Sequence, residues 1–289
     1  MYADFDLLVP EKLDQALAMI AGARSARDAA PLGGGTNLVV EMRAKGEGPA
    51  TLVSIGRLAG LRGITIGDHR VTIGAATTVS DILRHPGMAD AAPALVESAR
   101  VFAGQMVRNT ATVAGNICCG SPAADLVPPL MALGATVTLQ TGKSSRDVAL
   151  DAYFTGYKAS VRQPDELITA ISWPRPDAAS TSRFYKLARR KGDAITVVGV
   201  SVLVAMKSGV CTEVRVALGA VGPCVFRART AEALLRGQAP TAERVARAAA
   251  LAAAEATPID DIRATGAYRK EQVEVLVGRL LNQTIESLS

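Results

Sequence analysis

The chain is short of the side chains on which most hydrolytic and metal chemistry depends. It has two histidines and four cysteines in 289 residues, and aromatic residues make up 4%. Both histidines, His69 and His85, stand in polar, turn-like contexts, Gly67-Asp68-His69-Arg70 and Arg84-His85-Pro86-Gly87, and read as solvated loop residues. The cysteines Cys118, Cys119, Cys211 and Cys224 include no Cys-x-x-Cys spacing, so neither zinc nor an iron-sulfur cluster can be assigned to this chain. The adjacent pair is poorly placed for a mutual disulfide, and all four are expected to be small buried hydrophobes. Long apolar runs are also missing. The longest, Val197 to Met206, is too short to span a bilayer as a helix. The opening Met1-Tyr2-Ala3-Asp4-Phe5-Asp6 is acidic and polar where a secretory signal would be basic and then apolar, and a cytoplasmic protein is expected. The net charge of +5 is spread along the chain with few aromatics, which argues against nucleic acid. One basic run stands apart, Arg183-Phe-Tyr-Lys186-Leu-Ala-Arg189-Arg190-Lys191, either a solvated face or a contact with cofactor phosphates or an acidic partner.

What is present is a hydrophobic content of 49%, enough for a large core divided between two or three units. Helical spacing of Leu13, Ala16, Leu17 and Ile20 follows Pro10-Glu11, and a strand is expected at 51–55 after a glycine-rich turn. From about residue 60 the pattern changes to short β runs. Cap residues near Thr77-Thr78 start one helix, residues 92–102 form another, and a third covers 126–133 with Ser121 or Asp125 as its cap. Prolines and small residues at 173–180 suggest a boundary. Beyond it lie strands at 183–187, 195–206 and 214–218, then helices at 242–255 and 268–288, an α+β order.

Two small-residue loops are the candidate chemistry. Gly33-Gly34-Gly35-Thr36-Asn37 lets the backbone approach a bulky anion and present several amide donors to it. Thr112-Val113-Ala114-Gly115-Asn116 combines small residues with a hydroxyl and an amide side chain and reads as a glycine turn, so the two loops together could clamp the phosphates of one dinucleotide. Asp125 could accept from a ribose or a ring nitrogen, or cap a helix. Neither Gly-x-Gly-x-x-Gly after a strand nor Gly-x-x-x-x-Gly-Lys-Ser/Thr occurs, so neither a Rossmann fold nor a P-loop is supported. No nucleophile constellation is recognisable.

These residues carry a family resemblance. Pro31-Leu-Gly33-Gly34-Gly35-Thr36-Asn37-Leu38, Val107-Arg-Asn-Thr-Ala-Thr112-Val113-Ala114-Gly115-Asn116 and Ser121-Pro-Ala-Ala-Asp125-Leu126 occur in order. Phe154-Thr-Gly156-Tyr157-Lys158, Asp165-Glu-Leu-Ile168, Trp173-Pro174, Arg183 to Asp193 and Gly219-Ala-Val221 follow them. The chain resembles the medium, FAD-binding subunits of the xanthine dehydrogenase and carbon monoxide dehydrogenase family of molybdenum hydroxylases. The resemblance implies an α+β fold: a two-lobed FAD-binding domain of the vanillyl-alcohol oxidase type over 1–177, its lobes about 1–57 and 58–177, then a C-terminal α+β domain over 178–289. It implies that Gly33 to Asn37 and Thr112 to Asn116 wrap the pyrophosphate. Asp125 would lie at the adenine or ribose end, Phe102 beside the adenine, and Ile168 and Lys186 beside the flavin. The implied partners are a large molybdenum-cofactor subunit and a small subunit with two [2Fe-2S] clusters, arranged as a dimer of heterotrimers. Electrons would run from molybdenum through the clusters and FAD to an external acceptor. Two departures stand out: Ala114 where relatives carry glycine, and Ala194 where many carry an aromatic after Gly192-Asp193. There is no cysteine-rich insertion for a further cluster. A free-standing flavin oxidoreductase, needing a proton-transfer residue over the flavin, and a flavin-free assembly factor are the competing readings.

Overall fold

Residues 4–288 are described by a computed structural model, and its first layer follows from the short apolar runs at the start of the chain. Asp6–Leu8, Thr51–Ser54 and Ala29–Leu32 form an all-parallel sheet with Thr51–Ser54 in the middle. Parallel neighbours need crossover connections, and two helices supply them. Leu13–Ile20 turns Ala16, Leu17 and Ile20 inward, and Leu38–Lys45 is stopped by Gly46 in the left-handed conformation at φ 69°. Their small core, with Val53, Ile55 and Leu58, also takes in Leu61, Ala76 and Leu167, which belong to the next layer.

That next layer is an antiparallel sheet ordered Ile64–Ile66, Arg70–Gly74, Leu167–Pro174, Thr136–Gln140, Ser145–Ala149. Its central strand comes from 167–174, so the chain leaves to build the helices of 79–132 and returns to close the sheet. Those helices include Val79–Arg84, Pro93–Val101, Val113–Cys118 and Val127–Ala132, packed on Val71, Ile73, Val137, Leu139, Ile171 and Trp173. Thr78 caps Val79–Arg84 by accepting from the Asp81 amide while Asp81 accepts from the Thr78 amide. The caps expected for 126–133 are not used: Val127–Ala132 begins at Leu126 with no side-chain cap, because Asp125 has buried partners elsewhere.

The boundary segment leads into a second antiparallel sheet, Ser180–Ala188, Thr196–Lys207, Val210–Gly219 and Phe226–Arg227, in sequence order. Thr196–Lys207 is buried on both faces, which is why its sequence is an almost unbroken apolar run. Val198, Val200, Val202 and Val204 face the helices Ala242–Glu255 and Gly266–Glu286, whereas Leu203 and Ala217 pack into the core of the preceding sheet. Thr241 and Thr265 cap the two long helices. The C-terminal sheet is thereby held between its own helices and Pro93–Val101 and Val127–Ala132. Arg227 forms a two-pronged pair with buried Glu232, and Asp151 approaches Arg227 and Arg229 across the same seam.

Candidate functional site

The two small-residue loops lie against each other. Gly33 to Asn37 links Ala29–Leu32 to Leu38–Lys45 and crosses the segment Thr110 to Thr112. A Cβ on Gly34 would stand 1.9 Å from the Thr110 carbonyl oxygen, and one on Gly33 would stand 2.8 Å from Thr112 Oγ1. Gly35 is in the left-handed region at φ 69°, which favours glycine on its own account. The glycines are therefore the condition for the loops to touch.

The loops differ in what their amides do. Among the described residues, the N–H groups of Gly33, Gly34, Gly35, Thr36 and Asn37 donate to no protein acceptor. They lie at the start of a helix, where backbone donors and the helix dipole together favour an anion. Residues 112–116 are not the glycine turn expected. They are the start of the helix Val113–Cys118, with Thr112 as its cap. Val113 donates to Thr77 O at 3.0 Å, Ala114 to Ala75 O at 3.2 Å, Gly115 to Thr112 Oγ1 at 3.1 Å and Asn116 to Thr112 O at 3.0 Å. The amides are thus open in the first loop and engaged within the protein in the second. The second supplies a rigid wall, tied by its amides to the Ala75-Ala76-Thr77 turn and by a bridge between Thr78 and Thr112. Ala114 sits inside that helix with its side chain buried, so the departure from glycine imposes no strain.

Asp125 and Lys186 are brought together, but toward each other. Lys186 Nζ lies 2.7 Å from Asp125 Oδ2 and 3.4 Å from Val101 O, while Thr196 Oγ1 donates to Asp125 Oδ1. Both charged side chains are less than a tenth exposed. Burial raises the Asp125 carboxyl above the ordinary aspartate value, and the Lys186 and Thr196 contacts oppose that shift. Neither side chain projects as a free ligand. Their pairing joins the turn before Val127–Ala132 to the C-terminal sheet, and Ser98 Oγ adds a bond to Asp125 O. Asn116 connects this group to the second loop, its Oδ1 accepting from Leu126 N at 3.1 Å.

Phe102 packs into the main core at the end of Pro93–Val101 rather than on an open face, with Arg108 donating to its carbonyl. Ile168 is buried on Leu167–Pro174 beside a register shift, one residue before Thr169, whose carbonyl accepts from Ala75 N. That places its strand next to the Ala75–Ala114 bond of the second loop. Of the basic run, Lys186 is buried, while Arg189, Arg190 and Lys191 are exposed. The cysteine expectation fails for Cys118, which is exposed with its sulfur 3.8 Å from Tyr153 Oη. Burial raises the thiols of Cys119, Cys211 and Cys224. Two open clefts, of about 420 and 380 Å³, lie on the C-terminal unit near Arg183 and Tyr268, and no residue of either loop lines them.

Three contributors gave no sequence signal of their own. Thr196 reaches Asp125 across the sheet, and Ala75 organises the second loop through its carbonyl. Glu41 accepts from Asn37 Nδ2 at 3.1 Å and from Lys158 Nζ at 2.6 Å. Only the Asn37-to-Glu41 spacing, one helical turn, could have pointed to the last. No cluster of three metal-ligating side chains exists among the described residues, and no helix there is long and apolar enough to cross a membrane.

Comparison with known proteins addresses the whole chain. Residues 3–176 match the family model described as the FAD binding domain in molybdopterin dehydrogenase, and residues 183–284 match the CO dehydrogenase flavoprotein C-terminal domain. The nicotinate dehydrogenase FAD-subunit of Eubacterium barkeri is 31% identical, covering 99% of this chain and 97% of that one. The carbon monoxide dehydrogenase medium chain of Hydrogenophaga pseudoflava is 30% identical, covering 96% of each. The solved carbon monoxide dehydrogenase of that organism, in a form lacking the Mo-pyranopterin moiety, superposes with a TM-score of 0.94 at 31% identity, over 100% of this chain and 99% of that one.

Proposed function

Because this chain belongs to the FAD-binding family of the molybdopterin dehydrogenases, we propose that it is the electron-transfer subunit of a heteromeric molybdenum hydroxylase. It takes electrons from [2Fe-2S] clusters of a partner subunit and passes them to an external acceptor. The observation that carries this reading is the first loop: five consecutive amides without protein acceptors among the described residues, at a helix start, in a loop whose glycines let it lie against Thr110 to Thr112. That loop fits a diphosphate. FAD, when bound, supplies the redox chemistry, and the chain's own work is to hold and orient it.

In this reading Gly33 to Asn37 bind the diphosphate oxygens. Thr112 to Asn116 fix that loop from behind. Asp125 and Lys186 hold the C-terminal sheet against the cofactor lobe, with Phe102 and Ile168 as packed supports. The working division is a cofactor domain over 1–177, with lobes at about 1–57 and 58–177, and a C-terminal domain over 178–289; three core clusters centred on these units, with a few residues shared across the boundaries, support it. The proposed partners are a large molybdenum-cofactor subunit and a small subunit with two [2Fe-2S] clusters, in a dimer of heterotrimers. The subunit and medium-chain names of the relatives are consistent with such an assembly. The test is to purify the native complex and record its visible spectrum and metal content. Flavin absorption together with molybdenum and iron is expected. An isolated chain that carries flavin, has no molybdenum or iron partner and turns over a small molecule at steady state would overturn the reading in favour of a free-standing oxidoreductase.

A further inference from the structure

We propose that Lys158 is a positioning residue for the cofactor's diphosphate: it neutralises Glu41, so that no uncompensated negative charge stands beside the open amides of Gly33 to Asn37. This rests on the FAD reading above. Lys158 lies at the turn of the small hairpin Phe154–Gly156 and Ala159–Ser160, in the left-handed region at φ 52°. Its amide donates to Gly120 O, in the turn just after the helix of the second loop. A Cβ on Gly120 would stand 2.8 Å from Lys158 Cα, so the hairpin is seated closely on that turn. From there the side chain crosses to the first loop's helix and meets Glu41 at 2.6 Å. Glu41 in turn accepts from Asn37 Nδ2, so its carboxylate touches the last residue of the open loop.

The charge arithmetic gives this contact its meaning. Glu41 stands in the first turn of Leu38–Lys45, four residues beyond Asn37, a rise of about 6 Å. That is shorter than the screening length of roughly 8 Å at physiological ionic strength. The Lys158 hydrogen bond, with further help from Asn37 and Lys45, holds the Glu41 carboxyl below the usual glutamate range, so it is ionised at neutral pH. A diphosphate entering the loop would meet that charge. With Lys158 in place the pair is neutral, and the helix start remains attractive to an anion. The pair is partly exposed, so its intrinsic contribution to folding is small. Its effect lies in the field at the loop.

The experiment uses the full chain, stripped of flavin and titrated with FAD at low and high salt. Flavin fluorescence is the readout, and far-UV circular dichroism and thermal unfolding of each apo variant are recorded alongside. Lys158→Met is expected to bind FAD about tenfold more weakly at low salt, a loss that shrinks as salt rises. Lys158→Met combined with Glu41→Gln is expected to recover most of the affinity, and Lys158→Arg to stay within about twofold of the parent. Glu41→Gln alone, which keeps an acceptor for Asn37 and Lys158, is expected to tighten binding at low salt. Affinity of Lys158→Met within about twofold of the parent, or a double variant as weak as Lys158→Met, overturns the proposal. If Lys158→Met does not fold, Glu41→Gln decides alone, because unchanged or weaker binding by that variant overturns it as well. A parent chain that takes up no FAD overturns the underlying reading and this proposal together. Parent binding with variants indifferent to charge overturns this proposal only.

Discussion

Replacing Gly34 with alanine adds one methyl group and should separate the two loops. The new Cβ would stand 1.9 Å from Thr110 O and 2.5 Å from Thr110 C, both backbone atoms. Real Cβ contacts essentially never fall under 3.0 Å, so about 1 Å of movement is required. The Thr110 side cannot give easily. Thr110 N and Ala111 N are both bonded to Val107 O, Val79 N is bonded to Ala111 O, and Thr112 bridges to Thr78. An insertion of this kind into packed structure costs about 1–3 kcal/mol, and the rigidity of this backbone puts Gly34→Ala at the upper end. FAD affinity should fall more than tenfold, because the amides move relative to the helix start that orients them. The assay is a comparison of Gly34→Ala with Gly142→Ala, where an added Cβ meets nothing within 4 Å. Both apo proteins are followed by urea unfolding and both are titrated with FAD. If Gly34→Ala keeps parental stability and FAD affinity, the close crossing of the loops is wrong and the cradle with it.

Lys186→Met leaves Asp125 buried without its cation and should destabilise the protein by about 3–5 kcal/mol in urea unfolding, a loss partly reversed by adding Asp125→Asn. The folded Asp125 pKa lies above its unfolded value and loss of Lys186 raises it further, so ionisation opposes folding more in the variant; the Lys186→Met deficit should therefore shrink as pH falls from the variant's raised value toward the parent's. Glu166 behaves oppositely, its pKa lowered first by the Arg146 hydrogen bond, so its contribution is present above the ordinary glutamate value and lost as pH falls through the folded one; Arg146→Met should flatten that acid limb in a pH series of unfolding curves. Thr112→Val removes the cap on Val113–Cys118 and should cost about 1 kcal/mol in unfolding, with a smaller effect on FAD titration than Gly34→Ala.

What could be read from the sequence follows the range of the interactions involved. The helix at 242–255 is legible because its apolar spacing and its Thr241 cap are local, and the strand at 195–206 because burial on both faces leaves an unbroken apolar run. The first loop is visible as three glycines, yet the reason for Gly34 is not, since the atom it must avoid belongs to Thr110. Val113–Cys118 escapes because Val113, Gly115 and Asn116 are poor helix formers, and six residues this short on propensity need tertiary support. That support comes from the Ala75 and Thr77 carbonyls. Asp125 looks like a local cap only while Lys186 and Thr196, 61 and 71 residues away, are out of view.

The two loops therefore answer to different pressures, which explains why alanine is acceptable at 114. Had residues 112–116 been an anion-binding turn, a Cβ at 114 would have narrowed the conformations open to the backbone. As the second residue of a helix, position 114 favours alanine over glycine by up to about 1 kcal/mol, and its methyl fills the main core. Gly34 has no such freedom, because its missing Cβ is where the second loop's backbone passes. Ala114→Gly should accordingly lower stability slightly and leave FAD affinity unchanged, while Gly34→Ala lowers both. A fall in FAD affinity for Ala114→Gly as large as that for Gly34→Ala would return the second loop to the role of a phosphate ligand.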